Sequence, residues 1–245
     1  MANLAEKSVP ITCEGCPIRH SAVCAQCDKD ELEQLEAIKF YRTYEAGQPI
    51  AWAGDSMSFV ASVVSGVAAL SQTLEDGRRQ MLGLLLPSDF IGRPGRAKAA
   101  FDVTAVSEVT LCCFRRTQFE ALILAVPHLS SRFMDMMLDE LDATREWLLL
   151  LGRKTAREKI ASLLTMIARR SSTNSLTRIN GPLTIDLPLT REVMADYLGL
   201  TLETVSRQMS ALKADGIVVL QDKRRVLVPD VRRLMAETGD DREAA

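Results

Sequence analysis

The sequence predicts an α+β chain in three parts: an antiparallel barrel or sandwich, a long helix, and a C-terminal winged helix-turn-helix. Three observations predict it. Between Phe40 and about Phe119, short alternating or apolar runs are broken by turn residues at strand-length intervals. Across 127–152 the apolar residues adopt helical spacing. From 190 to 230, a small residue, a glycine and two threonines fall where two crossing helices require them.

At 245 residues the chain is long enough for two domains plus linkers. No apolar run approaches the ~18 residues of a membrane span, and MANLAEKSVP lacks the apolar core of a secretion signal. A cytoplasmic chain is expected, with thiols kept reduced. The net charge of −2 conceals an asymmetry. Residues 153–233 hold 15 Lys or Arg against 8 Asp or Glu (+7), and the remainder holds 15 against 24 (−9). A basic C-terminal third on an acidic body fits a nucleic-acid module joined to something else.

The stretch TCEGCPIRHSAVCAQC (12–27) holds four of the six cysteines, and Cys112 and Cys113 lie far downstream. Reduced, clustered thiols point to metal ligation or redox chemistry before a disulfide. The spacing C-x2-C-x7-C-x2-C also permits a local zinc site using Cys13, Cys16, Cys24 and Cys27. His20 and His128 are expected as surface or helix-start residues, His20 lying within the cysteine loop.

DKDELEQLEAI (28–38) spaces Leu32, Leu35 and Ile38 as a short helix. The runs PIAWAGD, SFVASVVSG, AALSQTLEDG, QMLGLLLPSD, FDVTAVSEV and TLCCF then indicate about eight antiparallel strands. In the long helix, opened by Pro127 and closed by Gly152, Met134, Met137, Leu141, Thr144, Leu148 and Leu151 are spaced 3, 4, 3, 4, 3. This is a heptad seam with Thr144 as its one polar member. The flanking sequence is domain-like on both sides, so the seam is assigned to pairing with a second copy. KTAREKIASLLTMIARR (154–170) is another amphipathic helix, 171–182 a polar loop, and TIDLPL (184–189) a strand.

Thr190 can cap a helix that ends at Gly199, with Ala195 small where helices cross. Thr201 caps the next helix. Glu203, Ser206 and Arg207 share its exposed face, opposite Val205, Met209 and Leu212. Arg suits guanine O6/N7, Glu cytosine N4, and Ser several base edges in a major groove. IVVLQDKRRVLVPD then forms two short strands around the basic tip Asp222-Lys223-Arg224-Arg225, suited to phosphates. No nucleophile–base pattern or glycine-rich phosphate loop suggests an enzyme.

Barrel, long helix and winged helix-turn-helix in this order resemble the cyclic-AMP receptor/fumarate–nitrate reduction regulator (CRP/FNR) family across about residues 12 to 233. LGLTLETVSR (198–207) resembles that family's recognition-helix start in its oxygen-responsive branch. LLPSDFIGRPG (85–95) resembles its cyclic-nucleotide segment. The likeness implies a β-roll sensor of the cyclic-nucleotide-binding type, a dimerisation helix and a DNA-binding domain. Arg93 stands where nucleotide-binding members carry a glutamate, and FDVTAV (101–106) lacks their Arg-Ser or Arg-Thr pair, so no cyclic nucleotide is expected. The implied parts are a cluster-binding arm (1–28), the sensor (29–126), the dimerisation helix (127–152) and the DNA-binding domain (153–245).

The same resemblance implies one [4Fe–4S] cluster per subunit, held by three arm cysteines and one from the barrel. Cys13, Cys16 and Cys24 are assigned from the arm, with Cys27 as the alternative third ligand. Cys112 is assigned from the barrel. Side chains alternate along a strand, so Cys112 and Cys113 face opposite ways, and Cys113 is expected as a core residue. By the likeness, the loaded homodimer binds a palindrome resembling TTGAT-N4-ATCAA through Glu203, Ser206 and Arg207, works with RNA polymerase, and activates genes of low-oxygen metabolism. Oxygen would convert the cluster to a [2Fe–2S] form and release DNA. The family's acidic residue on the dimer helix aligns with Thr144, a departure, with Glu140 and Asp142 close by. A related regulator with structural zinc or a thiol switch is the alternative reading.

Overall fold

The computed structural model describes residues 12–171, 182–222 and 224–240. The expected loop at 171–182 and the wing residue Lys223 therefore lie mostly or wholly outside the described residues. The chain forms two compact units, Met1–Asp142 and Ala143–Ala245. Their boundary falls inside the long helix.

In the first unit, helix α1 (Lys29–Ile38) opens on a capping box, in which Asp28 accepts from the Glu31 amide and Glu31 from the Asp28 amide. Eight strands follow, as the run pattern predicts. One antiparallel sheet joins β1 (Lys39–Tyr44), β8 (Val109–Arg115), β3 (Phe59–Ser65) and β6 (Phe90–Ile91) in that order. The other joins β2 (Pro49–Ala51), β7 (Asp102–Ala105), β4 (Ala68–Thr73) and β5 (Arg79–Leu85). Gly66 turns β3 into β4 at φ +82°, where a Cβ would stand 1.9 Å from the Glu108 carbonyl oxygen, so glycine is required.

Strand β8 is buried on both faces, and this divides the apolar interior. Leu111 and Cys113 join the roll interior with Ala61, Val63 and Val103. Cys112 and Phe114 join a second core built from the arm, α1 and the helices after β8. The first of these, α2 (Arg116–Ala125), was not expected from the sequence. It is one short element between β8 and Pro127, and its anchor is a single fully buried side chain. Phe119 stacks on Phe114 and Phe90 at 5.2 and 5.4 Å between ring centres.

Helix α3 (Pro127–Arg153) begins at Pro127 as expected and continues one residue past Gly152. Among the described residues, no single helix is long and apolar enough to cross a membrane.

The second unit contains α4 (Ala156–Ser171), β9 (Leu183–Asp186), α5 (Arg191–Leu198), α6 (Leu202–Ala214), β10 (Val219–Leu220), β11 (Arg225–Val228) and α7 (Val231–Ala236). The three strands form one antiparallel sheet ordered β10–β11–β9. Thr190 accepts from the Val193 amide at 3.2 Å, and Gly199 ends α5 in the left-handed region at φ +62°. The Leu200 amide then returns to the Ala195 carbonyl at 3.0 Å, closing the turn between the helices. Lys159, buried on α4, donates to the Leu198 carbonyl at 3.2 Å and so satisfies one of the last acceptors of α5.

Candidate functional site

Cys13, Cys16, Cys24 and Cys112 line one cavity of about 360 Å³, counting the part open to solvent. Its remaining walls are mostly apolar, including Ile18, Val23, Leu35 and Phe114. Three of the thiols come from the arm and the fourth from β8. Cys27 packs into the same apolar core but does not line the cavity. Cys113 points the other way, into the roll interior. The pleat of β8 is the cause: consecutive side chains must leave opposite faces of the strand.

Burial governs the chemistry of Cys13, Cys24 and Cys112. It raises the Cys24 thiol to about 11, against the opposing pull of the Arg19 guanidinium. It also raises Cys112 strongly, reinforced by the charges of Cys113, Cys13, Cys16 and Cys24. The Cys13 thiol is raised by burial as well, although the Lys39 ammonium 3.5 Å from its Sγ favours the thiolate. Thiols held neutral by an apolar wall ionise when a cation supplies the compensating charge. Four cysteines around one cavity match in number the thiolates that a [4Fe–4S] cluster demands.

The arm is held by groups that the sequence did not single out. Arg19 donates to the carbonyls of Cys24, Ala25 and Cys27 at 2.6, 2.7 and 2.6 Å, fixing the second half of the cysteine loop. Ser21 and Ser88 share a hydrogen bond of 2.6 Å between hydroxyls. Ser88 is the one non-glycine among the described residues at positive φ, +81°. Arg132 of α3 donates to the Ser21 carbonyl at 2.6 Å. His20 is exposed, and His128, second residue of α3, pairs with Glu31 at 3.0 Å. An arginine five to eight residues from its acceptors leaves no periodic signal, and only the closed loop shows its role.

On α6, capped by Thr201, Glu203, Ser206 and Arg207 are all exposed. Val205, Met209 and Leu212 are buried beneath them. The one-face assignment therefore holds in three dimensions. At the wing, Asp222 accepts from the Arg224 and Arg225 amides at 2.7 Å each, which tightens the turn and presents Arg224 and Arg225 outward.

Helix α3 has two apolar faces. Leu129, Phe133 and Met136 pack on the arm core. The seam residues Met134, Met137, Leu141 and Leu148 are 60, 38, 45 and 66 % exposed. Single exposed apolar residues are ordinary, whereas a row of them at heptad spacing is the pattern of a helix-pairing seam.

Two domain families match the chain: a cyclic nucleotide-binding domain over residues 41–125 and a Crp-like helix-turn-helix domain over residues 158–237. The transcriptional activator protein FnrL of Cereibacter sphaeroides is 65 % identical over 229 residues, which are 94 % of this chain and 92 % of that one. The fumarate and nitrate reduction regulatory protein of Salmonella typhi is 26 % identical, covering 96 % of this chain and 93 % of its own. Among solved structures, FixK2 from Bradyrhizobium japonicum superposes with a TM-score of 0.73 at 28 % identity, covering 83 % of this chain and 98 % of that one. The first two relatives bear the names of a transcriptional activator and of a regulatory protein, and none of the three is named as an enzyme.

Proposed function

We propose, on the premise that the chain belongs to the CRP/FNR family of DNA-binding transcription activators, that it is an oxygen-responsive regulator carrying one [4Fe–4S] cluster per subunit. Cys13, Cys16, Cys24 and Cys112 are the assigned ligands. The observation that carries this reading is their convergence on one cavity from two separate parts of the chain, with Cys27 left out. When bound, the cluster supplies an oxygen-labile covalent tie between the arm and β8.

The residues around the cavity explain how such a tie would reach DNA. Arg132 holds the arm loop to α3, whose opposite face is the exposed seam. The arm's position thus biases how the seam presents itself to a second copy. Two paired copies place two α6 helices, each with Glu203, Ser206 and Arg207 outward, to read half-sites about one DNA turn apart. An FNR-type palindrome resembling TTGAT-N4-ATCAA is the assigned site, and RNA polymerase the partner in activation of low-oxygen genes. A few kcal/mol in this equilibrium changes DNA occupancy strongly. A cyclic nucleotide has no part in this reading, since Arg93 follows Phe90-Ile91-Gly92 in place of a glutamate.

The test is purification without oxygen, followed by absorbance, iron and sulfide content, and DNA affinity before and after air. A brown protein with about four irons per subunit, losing DNA affinity in air, is expected. A colourless, zinc-containing protein whose DNA binding ignores air overturns the reading.

A further inference from the structure

We propose that Ser62 is a hydrogen-bond donor to the cluster site, its hydroxyl serving the Cys112 thiolate or an adjoining cluster sulfide and slowing loss of the cluster in air. This rests on the cluster reading above. Ser62 is 2 % exposed, lines the same cavity as the four assigned ligands, and its Oγ has no hydrogen-bond partner in the protein.

The strand register brings it to the right atom. On β8, Cys112 is the direct antiparallel partner of Tyr41 on one side and Ser62 on the other. Directly opposed residues have Cβ atoms about 5 Å apart on the same face, so both flank the Cys112 thiol. Tyr41 lines the same cavity, and of the two flanking hydroxyls that of Ser62 is the one left without a partner.

The neighbours on that face of β3 are Val60 and Val64, both buried in the arm core. An apolar residue at 62 would fit this pattern. A hydroxyl instead carries a desolvation cost unless something accepts its proton. Sulfur atoms of a cluster are such acceptors, and hydrogen bonds to them move its reduction potential upward by stabilising the more negatively charged state. A higher potential makes oxidation less favourable, so the donor protects the cluster.

The experiment compares wild type with Ser62→Ala and Ser62→Thr, each loaded without oxygen. Three quantities are read: the cluster's midpoint potential, the rate at which visible absorbance fades in air, and the melting temperature of the iron-free protein. The alanine variant should hold the wild-type amount of iron and sulfide, show a more negative potential, and fade about three- to tenfold faster, the range a net hydrogen bond commands. Threonine, which keeps the hydroxyl, should restore both. The iron-free alanine protein should melt no lower than wild type, because the substitution there removes an unpaired donor. Wild-type potential and fading in Ser62→Ala overturn the inference and leave the cluster reading intact. So does an alanine variant that fails to fold or melts lower without iron, which marks Ser62 as a packing residue. A wild-type protein that takes up no iron defeats the cluster reading itself, and this inference with it.

Discussion

Arg132 donates from Nη2 to the Ser21 carbonyl oxygen at 2.6 Å, joining the long helix to the middle of the cysteine loop. A hydrogen bond from a charged donor contributes roughly 1.5–3 kcal/mol, less where solvent reaches it, as it does here. Arg132→Ala should leave iron and sulfide content unchanged. It should narrow the gap in DNA affinity between anaerobic and air-exposed protein by up to about tenfold. Fluorescence anisotropy on an operator duplex measures it, and an undiminished gap would show that the arm signals by another route.

The choice between the third ligands is separable by single substitutions. Cys24 lines the cavity with Cys13, Cys16 and Cys112, while Cys27 does not. Cys27→Ser should keep about four irons per subunit and the visible spectrum; Cys24→Ser should lose both. Iron analysis of the anaerobic proteins decides, and the reverse pattern would reassign the site.

The seam makes a quantitative claim about assembly. Leu141 lies at its centre and is 45 % exposed in the single chain. A carboxylate placed there would be buried without a partner in a self-paired helix, so Leu141→Asp should weaken dimerisation by on the order of 100-fold or more. Leu141→Ile should change it little. Sedimentation velocity under anaerobic conditions reads both, and an unaltered dimer would move the interface elsewhere.

Recognition on α6 can be divided by residue. Arg207→Ala should cost ~1–3 kcal/mol on the preferred operator and relax discrimination at one base pair, while substitution of Arg224 at the wing should weaken all sequences about equally. Competition with single-base operator variants separates the two effects. An unchanged base preference in Arg207→Ala would refute its assignment to a guanine.

Some elements could be read from the chain because local chemistry fixes them. The caps at Thr190 and Thr201, the left-handed Gly199 and the outward row Glu203, Ser206, Arg207 depend on contacts within a few residues. Strand pleat was sufficient to part Cys112 from Cys113. Helix α2 was not legible, because its identity rests on Phe119 meeting rings from β6 and β8, not on its own short periodicity.

By itself, then, the sequence determined the order of parts, the reading helix, the seam and the alternation along β8, since each is set by periodicities of two or 3.6 residues. Which cysteines line one cavity was decided only by the fold. C-x2-C-x7-C-x2-C satisfies a local site and a divided one equally well, until the arm packs on β8 and leaves Cys27 outside the cavity. Arg19, Arg132, Ser62 and Ser88 became visible in the same way: each acts on atoms that sequence distance separates and chain closure brings within hydrogen-bonding or cross-strand reach.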